Sequence, residues 1–343
     1  MTIPGVEIIA ELAQGFEGRP EQAHLLLRAA AAAGADAAKF HLVYADELAS
    51  RDYKYFDLFR SLEMADQTWE GLATYSGELG IELHLDILGS RSLRLAERVG
   101  AAAVKLHATD LANLGLLRDV AASSAGRVLL GAGGAHLGEI ETAVTILAAK
   151  PVVVLLGFQG YPTLDDANQI ARVAHLGSLL ARVHPDLRIG FADHAAPDGP
   201  TRYAMAATAI GAGATVVEKH LTLGRRMKLE DHESALNPDE FADFVRVVRG
   251  CASAIGTSTD ADDFGMSEAE HGYRSMIRRH VVASRALPAG TTLERGDLAL
   301  KRTSSTEATT DPSEACGRTL TRAIEKDAPI LSADVAGPGG LPA

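Results

Sequence analysis

Eight short apolar runs, separated by helix-length segments, constrain this chain more than any other feature. They fall at residues 6–12, 35–40, 81–87, 102–106, 128–131, 152–156, 187–191 and 215–218. Between them lie stretches with helical spacing, among them 20–33, 114–122, 137–148 and 165–182. Eight strands alternating with helices in about 250 residues predict a closed (β/α)8 barrel, the TIM architecture, rather than a doubly wound sheet. Gly34-Ala35, Gly100-Ala101 and Gly213-Ala214 stand where helix C-caps would feed the next strand. The alternative is an open parallel sheet. No Gly-rich phosphate fingerprint opens the chain to favour it.

Two of the runs lead into histidine: Gly-Phe-Ala-Asp-His ends at His194 and Val-Val-Glu-Lys-His at His220. A parallel barrel points its strand-end residues into one shared mouth. Two imidazoles converging there could hold a divalent metal, with Glu11 at the end of the first run as an acidic companion. Such a chain would be an enzyme acting on an oxygen-rich small molecule. Each histidine could equally be an ordinary polar residue at a strand end.

A composition shift follows the barrel pattern. The barrel is expected over 1–256 and a linker over 257–279, of which 257–272 is polar and acidic without periodicity. A small, mostly β module of about 55 residues is expected over 280–336, and the Gly/Pro-rich 337–343 reads as a disordered tail. A module so small has a thin core and should pack on something larger. The net charge of -12 argues against nucleic acid or an anionic membrane as partner. Cys251 and Cys316 are the only cysteines, which leaves no disulfide framework or cysteine metal site. No run reaches the ~18 apolar residues of a membrane span, and residues 1–5 lack the look of a secretory leader. A cytoplasmic protein is expected.

Further stretches resemble a known family. They are Ile-Ile-Ala-Glu-Leu at 8–12, Ala-Gly-Ala-Asp-Ala-Ala-Lys-Phe at 33–40, Lys-Leu-His-Ala-Thr-Asp-Leu at 105–111 and Tyr-Pro-Thr at 161–163. Three more are Gly-Phe-Ala-Asp-His at 190–194, Glu-Lys-His-Leu-Thr-Leu at 218–223 and Asp-His-Glu-Ser-Ala-Leu at 231–236. In order and spacing they resemble the sialic acid synthases, a barrel followed by an antifreeze-like (SAF) module. The resemblance implies a metal-assisted reaction joining a three-carbon donor, phosphoenolpyruvate, to the aldehyde of an open-chain amino sugar. It implies a divalent cation, manganese or magnesium, on His194 and His220. Glu11 would sit beside the donor carbon, and Lys39 and Lys105 would face the donor's carboxylate or phosphate. Asp110, Gln159, Tyr161 and Asp231 would contact the sugar. Arg302 would reach the active site of a neighbouring subunit in a domain-swapped homodimer. Read without the family, the two lysines could serve surface ion pairs, Asp231 a cap, and Arg302 mere surface.

The departures from the family cluster on one side of the site. Hydroxyl side chains that surround the donor phosphate are replaced by Asp86, Ala108, Gly131 and Ala192. An Asn-His pair near the start becomes Gly15-Phe16, and the glutamine after Lys-Phe becomes His41. A hydrogen bond to a charged group is worth roughly 1.5–3 kcal/mol, so losing several would weaken phosphate binding severely, and Asp86 would add repulsion. The expected consequence is weak handling of phosphoenolpyruvate and a preference for an unphosphorylated keto acid or another ligand, with Phe16 as one wall of the freed volume. A relative with aldolase- or lyase-type chemistry is thus the runner-up to the ordinary synthase. A non-catalytic sugar-binding protein is the third reading.

Overall fold

The structure is a computed structural model that describes residues 5–157, 160–256, 261–305 and 307–337. The chain divides into two compact units, Met1–Thr257 and Ser258–Ala343.

In the first unit eight parallel strands close into a barrel in sequence order. They are β1 (Glu7–Ala13), β2 (Ala37–His41), β3 (Glu82–Asp86), β4 (Ala103–Leu106), β5 (Val128–Gly131), β6 (Val152–Leu156), β7 (Arg188–Asp193) and β8 (Val216–His220). The open-sheet alternative is excluded, because β8 pairs back onto β1. Each expected run carries its strand, with ends shifted by at most two residues. Gly34 and Gly100 adopt the left-handed conformation after their helices, at φ 83° and 68°, which no Cβ favours.

Alternation sorts the side chains into two cores. Outward residues such as Ile8, Ala10, Leu12 and Phe40 pack beneath the helices. Phe16 belongs to this outer layer: fully buried, it meets Phe40 and Trp69 edge-to-face at 6.0 and 5.7 Å. It therefore does not wall the donor pocket. The aromatic surface of Phe40 and Trp69 offers more apolar contact than a charged mouth could.

Inward residues fill the barrel in layers. The middle is apolar, formed by Ile9, Ala37, Ala103, Leu129, Val153, Leu155 and Val216. Below it the floor is ionic. Arg127 reaches Glu7 at 2.8 Å and Glu82 at 2.9 Å, and Arg188 reaches Glu7 at 2.9 Å. His84 lies 2.9 Å from Glu82. Glu7, Glu82 and His84 bring ligand-type atoms together, but the guanidinium of Arg127 already lies on all three.

Two helical expectations are corrected. The stretch 165–182 is not one helix: a 3-10 turn at Asp165–Asn168 gives way to a helix over Ala171–Leu180. Gln169, left-handed at φ 49°, breaks the run. The expected linker 257–279 contains a helix, Glu268–Ile277, and only 257–260 within it lie outside the described residues. Its apolar residues Ala269, Tyr273, Met276 and Ile277 fall at helical spacing, but the helix buries none of its side chains. Ser267 and Glu270 start it with a reciprocal capping box.

The second unit has its own core of Val281, Ala283, Leu287, Leu293, Leu298, Leu320, Ile324, Ile330 and neighbours. Two short antiparallel pairs frame it, His280–Ala283 with Leu298–Lys301 and Thr319–Leu320 with Val335–Ala336. The mostly β character matches expectation. The tail at 338–343 lies outside the described residues. Among the described residues, no helix is long and apolar enough to cross a membrane.

Candidate active site at the barrel mouth

Strand register assembles the mouth. Glu11 on β1 stands level with Lys39 on β2 and with His220 on β8. His41 stands level with Asp86 on β3, and Asp86 with Lys105 on β4. The result is a buried ionic cluster. Lys39 bonds to Glu11 and to Asp86 (2.8 Å) and lies 3.6 Å from Glu218. Lys105 bonds to Glu218 at 2.7 Å and lies 3.8 Å from both Glu11 and Asp86. Neither lysine is a surface residue; both ammonium groups are enclosed by carboxylates.

Three carboxylates face two ammonium groups, and this mismatch decides who holds a proton. Burial raises the Glu11 carboxyl to about 7, more than the lysines lower it, with Glu218 and Asp86 adding repulsion. Burial also opposes ionisation of Glu218 and Asp86, but the lysines outweigh it. They hold Glu218 at about 2 and Asp86 well below the usual carboxylate range. Lys39 loses stability as a cation through burial and regains more from Asp86, Glu11 and Glu218, so its ammonium is held firmly. One proton is thus shared out to Glu11 near neutrality, the position suited to general acid–base work.

His194 and His220 meet beside this cluster, with ring centroids 5.2 Å apart. Tyr161 sets its edge against both rings, at 5.3 and 5.8 Å. Burial lowers His194 to about 4, and burial together with His194 lowers His220 well below its ordinary value. Both rings are therefore neutral. The Nδ1 of His194 lies 3.2 Å from the carbonyl of Ala192; donating there, it leaves Nε2 as a free lone pair. Two neutral, adjacent imidazoles are a donor set that suits a divalent cation. A second grouping of ligand-type atoms, Glu11, His41 and Asp86, lies within 4.8 Å. There the Lys39 ammonium already bonds to both carboxylates.

The remaining candidates lie around the rim or outside it. Asp110 sits in the 3-10 turn Ala108–Asp110 after β4, its carboxyl raised by burial. Asp231 is left-handed at φ 61° in the loop after β8, and its carboxyl is also raised, chiefly by burial. Gln159 lies outside the described residues. Arg302 is exposed in the second unit, directly after Leu298–Lys301. Of the four replaced hydroxyl positions, Asp86 has become a working member of the ion cluster. At Gly131 a Cβ would come within 3.2 Å of the Ala108 backbone nitrogen.

Sequence reading missed Glu218, although Glu-Lys-His contains it. The signal was available: His220 points inward, and a period of two puts Glu218 on the same face. Its neighbour Lys219 points the other way, into a buried pair with Asp193 at 3.1 Å.

The NeuB family pattern matches residues 26–260 and the SAF domain pattern residues 278–336. The chain belongs to the NeuB family. The N-acetylneuraminate-9-phosphate synthase of Mus musculus is 28% identical over 313 residues, covering 86% of this chain and 82% of that protein. The spore coat polysaccharide biosynthesis protein SpsE of Bacillus subtilis is 29% identical over 258 residues, covering 71% and 67%. Among solved structures, the N-acetylneuraminic acid synthetase of Leptospira borgpetersenii superposes with a TM-score of 0.71 at 25% identity, over 80% of this chain and 93% of that one. This NeuB-family chain is therefore related to sugar acid synthases over most of its length.

Proposed function

We propose that this protein is a metal-assisted enzyme that forms a carbon–carbon bond between an unphosphorylated keto acid and the aldehyde of an amino sugar or similar acceptor. One observation carries the choice of donor. The Asp86 carboxylate lies 2.8 Å from the Lys39 ammonium and 3.8 Å from that of Lys105, in the place where a phosphate would need both cations free.

Charge counting supports the same reading. With Glu11 ionised, three carboxylates against two ammonium groups leave one negative charge in excess. A divalent cation on His194 and His220 would turn that into one positive charge, enough for a single carboxylate. A phosphate ester that also bears a carboxylate would exceed it. Like charges this close inside a low-dielectric barrel are costly.

Each residue then has a task. Lys105 and Lys39 hold the donor carboxylate once it displaces part of their contacts with the cluster's own carboxylates, and draw electron density toward its keto group. Glu11 exchanges a proton with the oxygen of the carbonyl that is attacked. Asp110, Tyr161 and Asp231 line the rim where hydroxyl and amide groups of a sugar-like acceptor would lie, and Gln159 is assigned with them by resemblance. Arg302 is assigned to completing a partner subunit's site in a domain-swapped homodimer, also by resemblance. The bound cation would act as a Lewis acid toward the acceptor carbonyl.

Calorimetry with manganese present tests the donor. Pyruvate should bind more tightly than phosphoenolpyruvate, and Asp86→Thr should shift the preference at least about tenfold toward phosphoenolpyruvate. Low-micromolar binding of phosphoenolpyruvate by the unmodified protein, tighter than pyruvate, would overturn the reading.

A further inference from the structure

Phosphoenolpyruvate already holds its reacting carbon in an enol form; a plain keto acid does not. It must first lose a proton from the carbon next to its carbonyl. The donor reading above therefore demands a base that it does not itself name.

His41 is the last residue of β2 and points inward, two positions beyond Lys39. Its side chain is 20% exposed, whereas Lys39 is sealed beneath it. The imidazole Nε2 stands 3.3 Å from Oδ2 of Asp86. Asp86 is itself almost fully buried and fixed by the 2.8 Å bond from Lys39 to its other oxygen. That Oδ2 has no other hydrogen-bond partner, and its contact with Nε2 is long and imperfectly aligned, one that a positive charge on the ring would tighten. On the opposite side of the ring, Nδ1 meets the amide nitrogen of Gln14 at 3.4 Å, a loose contact. An amide N–H directed at Nδ1 marks that nitrogen as the one with the lone pair. The Nε2 proton then faces Asp86.

A buried carboxylate on one ring nitrogen, and a displaceable contact on the other at an open mouth, is the arrangement of an oriented general base. We propose that His41, positioned by Asp86, is the catalytic base that removes the proton from the donor's α-carbon. This rests on the keto-acid reading of the donor. The C–H bond breaks, its proton passes to Nδ1, and the electron pair stays on the donor as an enolate. The enolate carbon then forms the new bond to the aldehyde carbon, whose oxygen takes a proton from Glu11. His41 returns its proton through solvent to Glu11. No oxidant or reductant is needed. The developing imidazolium is stabilised by Asp86, whose carboxylate thus serves twice, against phosphate and toward His41.

Hydrogen–deuterium exchange at the methyl group of pyruvate, followed by proton NMR in D2O with manganese present, isolates this step without any acceptor. Calorimetry with pyruvate alongside it separates binding from chemistry. The unmodified protein should bind pyruvate and exchange its methyl protons. His41→Gln should lose at least about a hundredfold in exchange rate while its pyruvate affinity stays within about threefold. Asp86→Asn keeps the imidazole but not the charge, and should lose about tenfold. Should His41→Gln fail to fold, as judged by circular dichroism, the Asp86→Asn loss carries the test alone. Exchange at the unmodified rate in either folded variant would overturn the role of the dyad and leave the donor reading standing. Binding of pyruvate without exchange in the unmodified protein would do the same. No binding of pyruvate at all would remove the donor reading, and the dyad's role with it.

Discussion

The barrel carries two ionic networks, a buried one at the mouth and a partly exposed one on the floor, and they are built differently. On the floor, Arg127 and Arg188 face Glu7 and Glu82. His84 there is held below its ordinary value, mainly by burial. Two positive charges meet two negative ones. At the mouth, two ammonium groups face three carboxylates. Guanidinium forks fix several acceptors in one plane and keep their charge at any working pH. Ammonium and imidazole groups are point charges or titratable rings, better suited to exchanging partners. The floor closes the barrel, whereas the mouth is left short of one positive charge that a ligand or cation can supply.

Removing charge from the mouth's cationic side should give the largest effect. Lys39→Met leaves Glu11, Asp86 and Glu218 facing only Lys105. Breaking a buried pair by removing one partner costs about 3–5 kcal/mol, and here one lysine serves three acids. Urea unfolding at pH 7 should show a loss at the top of that range. A loss under about 1 kcal/mol would mean that the acids simply take up protons, and the mouth would be less constrained than argued.

On the floor, Glu7→Gln removes the carboxylate shared by both arginines. A loss of about 2–3 kcal/mol is expected, below the upper range for a fully buried pair because Arg188 is partly exposed and Arg127 keeps Glu82. Any activity at the mouth, per folded molecule, should be unchanged, because an apolar layer from Ile9 to Val216 separates the two networks. A changed substrate affinity with intact stability would break the division of labour between the ends.

How much of this division could be read in the sequence differs between the ends and has a physical reason. Strands announced themselves because a barrel buries both faces of each strand, which writes continuous apolar runs. Helix Glu268–Ile277 was passed over, since its short apolar stripe, Ala269, Tyr273, Met276 and Ile277, follows a polar, acidic stretch, although the Ser267/Glu270 cap marks its start. Glu11, Lys39 and Lys105 stood out at run ends, but Glu218 was hidden behind the more conspicuous His220. Phe16 was misplaced because a residue in the loop after β1 can turn inward or outward, and only the packing with Phe40 and Trp69 decides. The floor was invisible. Glu7, Arg127 and Arg188 lie far apart in sequence, and only barrel closure brings them together.

The excess carboxylate should also leave a signature in pH. Glu11 holds its proton up to about pH 7 in the folded barrel, against about 4.5 in the unfolded chain. Between those values the folded state binds the extra proton, so this group's contribution is full below about 4.5 and fades as pH rises to 7. Glu11→Gln removes that dependence. The variant should gain on the unmodified protein by on the order of 2–3 kcal/mol between pH 4.5 and 8, read from urea midpoints. Glu218 and Asp86 act in the opposite sense, losing their contribution as pH falls below the ordinary carboxylate range. A flat difference between the two proteins would mean that Glu11 is ionised throughout.

The smallest expected effect is the sharpest test of the contrast between the ends. Asp86→Asn keeps the size of the side chain and an acceptor oxygen for Lys39, but removes the surplus charge. What remains is two ammonium groups facing Glu11 and Glu218, a balanced set like the floor's. The lost charge-assisted bond from Lys39 opposes the relieved repulsion on Glu11. The two effects are opposite in sign, and the lysines hold the Asp86 charge by more than that charge repels Glu11. Stability at pH 7 should therefore fall, but by about 1–2 kcal/mol, less than for Glu7→Gln, although the residue is almost fully buried. Glu11, freed of one like-charged neighbour, should titrate lower, and the fall in stability that ends near pH 7 should move toward 4.5 with it. A loss as large as that of Glu7→Gln would show Asp86 to be a structural partner of Lys39, and the mouth would then be a second floor.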